Sequence, residues 1–139
     1  MSQPHETSRR PTEAELAILT VIWDRGSATV REVHDTMSAR QRVGYTTVLK
    51  LMQIMTEKGL LLKNAEVRPQ VFRASTPKNS TQKLLLSDLV DRAFQGSPGN
   101  LVLQALSLRA SSPDELREIR ELLDRLEADQ DPGGSGEAL

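Results

Sequence analysis

Cysteine is absent from this chain of 139 residues. That excludes a disulfide framework, a thiolate metal site and a cysteine nucleophile. Histidine is scarce: His5 and His34 lie far apart, in different kinds of segment. No apolar run approaches the roughly 20 residues of a membrane span, and the N-terminus lacks the apolar core of a signal peptide. A soluble, cytoplasmic protein with no membrane partner is the expectation. Neither a glycine-rich phosphate loop nor a His-Glu-x-x-His motif is present. Carboxylates are plentiful, but they fall on amphipathic patterns beside arginines. Glu121 and Arg125, four apart, read as a solvated helical pair. An enzyme is not expected, nor a cofactor, nor a bound metal. The length allows one domain, or one small domain with an assembly appendage.

Charge of either sign is plentiful, and its distribution is uneven. Residues 1–79 carry 12 Lys and Arg against 8 Asp and Glu, whereas residues 80–139 carry 6 against 11. A front half at +4 can meet a polyanion, and a back half at −5 would be repelled by one. Residues 1–11 are polar and read as a disordered tail. Thr12, with Glu15 three positions later, has the form of a capping box, and Leu16, Leu19, Ile22 and Trp23 follow at helical spacing. Gly26 stops that helix. Thr29 caps a second, Val30 to about Arg40, with Glu32 in the reciprocal position and Val30, Val33 and Met37 on one face. Trp23 is expected in the core, and His34 at or near the surface.

Gly44 breaks the chain before a third helix, Tyr45 to Lys58, which Gly59 ends in the left-handed conformation that favours glycine. Val48, Leu51, Met52 and Met55 form its core stripe. Thr46, Thr47, Lys50 and Gln53 fall elsewhere around the wheel. Leu60–Lys63 and Val71–Ala74 read as two short strands joined by a polar turn, Asn64–Gln70. The fold class is therefore mainly α with a small β-hairpin wing, a winged helix-turn-helix over residues 12–79. A helix of this kind, third in its module, is how such a domain meets a DNA major groove. Thr46 and Thr47 lie in the first turn, where unpaired backbone N–H groups and the helix dipole favour a phosphate. Tyr45 can lay its ring on the backbone sugar. Lys50 and Gln53 can reach base edges, glutamine matching adenine. Arg42 before the helix, and Arg68 and Arg73 in the wing, can anchor flanking phosphates. The plainer reading of each is a good helix start with ordinary solvated side chains. The whole constellation favours double-stranded DNA as partner, and the alternative function is a winged-helix adaptor for protein partners.

Residues 80–128 read as a helical dimerisation region, and 129–139 as an acidic, glycine-rich disordered tail. A fourth helix from about Ser80 to Phe94 carries Leu85 and Leu89. A short one from about Asn100 to Leu108 carries Leu101 and Leu106. Ser112-Pro113-Asp114-Glu115 is a strong helix start. Leu116, Ile119, Leu123 and Leu126 then repeat in steps of three, four and three, a coiled-coil-like seam. So few residues cannot bury an adequate core alone. Their leucines point to a partner surface, and a second copy of the chain is the commonest partner.

The runs Pro-Thr-Glu-Ala-Glu-Leu-Ala-Ile-Leu-Thr-Val-Ile-Trp-Asp-Arg-Gly, Thr-Val-Arg-Glu-Val, Tyr-Thr-Thr-Val and Glu-Lys-Gly-Leu-Leu resemble the BlaI/MecI/CopY family of bacterial transcriptional repressors. The likeness spans about Thr12 to Leu126. The resemblance implies a homodimer whose winged helices each read half of a palindromic operator, repressing a neighbouring gene. In β-lactam-responsive members a membrane sensor protease triggers cleavage in the dimerisation region. Gln104–Ala105 stands at that place here, where the cleaved members have Asn-Phe. The C-terminal cysteine cluster of copper-responsive members is missing. Lys50 and Ile54 stand where many members have Thr and Arg, which implies a different operator.

Overall fold

A computed structural model describes residues 10–137. Its elements, in chain order, are α1 (Glu13–Arg25), α2 (Val30–Ser38), α3 (Tyr45–Lys58), β1 (Leu61–Asn64), β2 (Val71–Ala74), α4 (Lys78–Ala93), α5 (Pro98–Leu108) and α6 (Pro113–Glu137). This is a winged helix followed by a helical C-terminal region.

Both threonine caps form as the local rules require. The Thr12 hydroxyl accepts from the Glu15 backbone N–H at 3.2 Å, and the Glu15 carboxylate accepts from the Thr12 N–H at 3.0 Å. Thr29 and Glu32 repeat the exchange at 3.1 and 2.9 Å. Each exchange satisfies donors that a helix start leaves unpaired. Gly26 and Gly59 end α1 and α3 with φ of 86° and 87°, a region where a Cβ is strained.

Three helices and the hairpin enclose one core, built from Ile18, Leu19, Ile22, Val33, Val48, Met52, Met55, Leu61 and Phe72 among others. Full burial of a side chain of this size contributes about 1.5–3 kcal/mol. On α1 the inward face is Glu15, Ile18, Leu19 and Ile22, shifted from the stripe expected through Leu16 and Trp23. Trp23 is half-buried against the core. It sits at the rim because its indole N–H donates to the Thr76 carbonyl at 3.1 Å. Leu51 is also only half-buried, while Val48, Met52 and Met55 are fully enclosed.

The strands pair antiparallel in the register Leu61↔Ala74 to Asn64↔Val71. The first strand thus begins one residue later than the pattern implied, because Leu60 still belongs to the helix stop, its N–H donating to the Met55 carbonyl at 2.8 Å. Ala28 forms an isolated antiparallel bridge to β2: its N–H and carbonyl both bond to Phe72, at 2.9 and 2.8 Å. The start of α2 is thereby tied to the wing.

The chain divides into two compact units, through Leu89 and from Val90 on, with the boundary falling inside α4. None of α5's side chains is buried, and Leu103 and Leu108 are 69% and 80% exposed. α6 runs to Glu137, past the residue 128 expected. No glycine or proline interrupts the chain from Glu118 to Asp131, so nothing local stops it there. Of the N-terminal tail expected over 1–11, residues 1–9 lie outside the described residues, as do Ala138 and Leu139 at the C-terminus. Arg10 pairs with Asp88 at 3.5 Å. No described helix is long and apolar enough to cross a membrane.

Candidate nucleic-acid interface

The third helix divides its faces by the 100° step between residues. With Val48, Met52 and Met55 turned inward, Thr46, Thr47, Lys50 and Gln53 are all exposed. Glu57, one turn beyond Gln53, shares the outward face and introduces a carboxylate that the sequence reading did not weigh. Arg42, just before the helix, is exposed as well. No side chain caps the N-terminus of α3, unlike those of α1 and α2, because glycine stands at the cap position. Its first-turn N–H groups are therefore left for an external acceptor, and the positive end of the helix dipole lies there too.

Between α3 and the hairpin runs a cleft of about 490 Å³, lined by Arg31, Tyr45, Leu49, Gln53, Glu57, Lys63, Arg68 and Gln70 among others. It brings together Tyr45, Gln53 and Arg68 from the expected set. Lys63 and Arg31 line it too, and the sequence pattern singled out neither. Lys63 is opposite Phe72 in the register, so it shares the face that Phe72 turns toward α3. Strand alternation gives the opposite result for Arg73, paired with Leu62 on the other face. Arg73 lines a separate hollow with Leu62, Asn64 and Val71, and so the fold does not bring it to the cleft.

Tyr45 is 38% exposed at the head of α3. Its ring is contacted from two sides, both by α2. The Arg31 guanidinium carbon lies over the ring, 4.6 Å from its centroid, and His34 meets it edge-on, 5.9 Å between centroids. His34 Nε2 is 3.1 Å from the Val43 carbonyl oxygen, and Nδ1 is 3.1 Å from Asp35 Oδ1. The imidazole thus ties α2 to the loop that leads into α3.

Glu32 has its carboxyl held below the ordinary value, first by the Thr29 backbone N–H and then by Arg25, 3.0 Å away. Glu15, buried at 2% exposure, accepts from Lys58 Nζ at 2.8 Å, joining the start of α1 to the end of α3. Among the described residues no cluster of His, Asp or Glu could hold a metal ion.

The residues expected to dimerise lie on α4, α5 and α6. Leu89, Leu123 and Leu126 are 47%, 50% and 48% exposed, and Leu106 is 36% exposed. Leu85, Leu101, Leu116 and Ile119 are half-buried. Gln104 and Ala105 lie mid-helix in α5, both exposed, with Gln104 Nε2 donating to Asn100 Oδ1 at 3.3 Å.

A winged helix with a polar, uncapped third helix and a cation-lined cleft beside its wing defines a class: the DNA-binding transcriptional regulators. The profile of the penicillinase repressor family matches residues 11–125, and the chain belongs to that family of transcriptional repressors, a non-enzymatic class. It is 29% identical over 119 residues to the transcriptional regulator BlaI of Mycobacterium tuberculosis strain H37Rv, covering 84% of each chain. It is 23% identical over 113 residues to the penicillinase repressor of Bacillus licheniformis, covering 81% of this chain and 88% of that one.

Proposed function

We propose that the protein is a homodimeric repressor that binds a palindromic operator, each protomer laying α3 in a major groove and its wing on the flanking backbone. The observation that carries this reading is the uncapped first turn of α3, where Thr46 and Thr47 are exposed beside the outward-facing Lys50 and Gln53. Phosphate is favoured at that turn by the free N–H groups and the dipole. Lys50 and Gln53 then point at base edges, where glutamine has a bidentate match to adenine. Arg42 and Arg68 flank them as backbone anchors. The exposed leucines of α4 to α6 support the second copy, and a dimer explains how two half-sites would be read together. A sensor protease would have to unwind α5 to cut Gln104–Ala105, because an extended substrate is not available within a helix.

A footprint over the upstream region of the protein's own gene, at low salt, tests the proposal. Two symmetrically protected half-sites are expected, and Lys50→Ala should weaken them. Absence of any protected site would overturn it. The adaptor alternative predicts no preference for any sequence and indifference to Lys50→Ala.

A further inference from the structure

Arg31 belongs neither to the reading helix nor to the wing, yet it lines the cleft between them. The two carboxylates nearest to it on α2 are already engaged. Glu32 holds the Thr29 N–H and Arg25, and Asp35 faces His34. No carboxylate pairs with Arg31 among the described residues. It is instead held by the face of Tyr45, 4.6 Å from the ring centroid. Contact with an aromatic face uses none of the guanidinium's N–H donors, and the Arg31 side chain makes no hydrogen bond among the described residues. Tyr45 is itself met by the edge of His34, whose Nδ1 is within hydrogen-bond distance of Asp35 and whose Nε2 is within that distance of the Val43 carbonyl and Ser38 Oγ. The chain from Val43 through His34 and Tyr45 to Arg31 therefore holds in place a set of N–H donors that pairs with no carboxylate among the described residues, in a cleft lined by Lys63 and Arg68 against the single carboxylate of Glu57.

We infer that Arg31, held by the Tyr45 ring, is a phosphodiester-binding residue that clamps the DNA backbone at the mouth of the cleft. This rests on the DNA-binding reading above. A planar fork suits two oxygens of one phosphate, and the ring contact spares part of the entropy that a free arginine loses on binding. Arg31 and Tyr45 then act as one unit: removing the ring frees the guanidinium, and removing the guanidinium leaves the ring alone.

The test uses the full chain and a mixed-sequence DNA duplex, with binding followed by fluorescence anisotropy across a potassium chloride series. Arg31→Ala should weaken binding about tenfold at low salt. It should also reduce the slope of log affinity against log salt by about one per bound protomer. Arg31→Lys should keep the slope and lose part of the affinity. In a Tyr45→Leu background Arg31→Ala should cost markedly less than in the native chain, the mark of coupled residues. Arg25→Ala removes a charge already engaged by Glu32 and should leave the slope unchanged. If Arg31→Ala leaves slope and affinity intact, or Arg25→Ala lowers the slope equally, the clamp is refuted. Strict additivity with Tyr45→Leu refutes its being held by the ring. Failure of the native chain to bind duplex at low salt would instead sink the DNA reading itself.

Discussion

Replacing Lys58 by methionine tests how the reading helix is fixed to its domain. Lys58 Nζ lies 2.8 Å from Glu15 Oε2, and the two side chains are 30% and 3% exposed. Breaking a fully buried pair costs about 3–5 kcal/mol, because the remaining charge is stranded. An exposed pair contributes about 0–1 kcal/mol. Here the carboxylate is enclosed but the ammonium is partly wet, and Glu15 keeps the Thr12 N–H as a second partner at 3.0 Å. The expected cost of Lys58→Met is therefore about 2 kcal/mol, between those limits. Loss of a cation at the C-terminus of α3 accounts for roughly 0.5 kcal/mol of it. Glu15→Gln should cost less, about 1 kcal/mol, because glutamine can still close the capping box and the freed lysine can reach water. Urea denaturation at fixed protein concentration measures both. With an m-value of about 1–1.5 kcal/mol/M, Lys58→Met should lower the midpoint by about 1–2 M. The double variant should fall short of the summed single costs by about 1 kcal/mol. Additive costs, or an unchanged midpoint in Lys58→Met, would show that the pair fixes nothing.

Two further outcomes follow from the same geometry. Glu32 has a depressed carboxyl pKa, so its contribution to stability is present above the unfolded value of 4.5 and is lost as pH falls through the lower folded value. An NMR titration should place the Glu32 carboxyl below that of a free glutamate, and Arg25→Ala should move it partway back; no movement would leave Arg25 without a role. Replacing Leu123 and Leu126 with aspartate should give monomers in sedimentation and weaker binding to DNA, since one half-site would then be read alone. Dimers that persist would move the interface to the α4 face that carries Leu89.

The sequence alone determined most of what acts within one helical turn, though the inward face of α1 is shifted from the expected one. The two capping boxes, the glycine stops at Gly26 and Gly59 and the inward stripe of Val48, Met52 and Met55 depend on neighbours three or four residues away. The hairpin was legible for the same reason, because alternation and turn residues are local. The outward set of α3 followed once its inward face was known. What the sequence left undecided depends on partners brought together by packing. Glu15 looked like a capping residue, and only the approach of Lys58, 43 residues on, buries it in an ion pair. Trp23 looked like core, and its bond to Thr76, 53 residues on, holds it at the rim. Arg73 and Lys63 are equally basic in sequence, and the strand register puts only Lys63 in the cleft. Arg31 stood in the sequence only as part of the Thr-Val-Arg-Glu-Val run, with nothing local to single out its charge, because the ring it meets belongs to Tyr45 of another helix. Local rules state what each segment becomes. Which side chains meet across segments is fixed by the shape of the packed core, and that shape is not a property of any one segment.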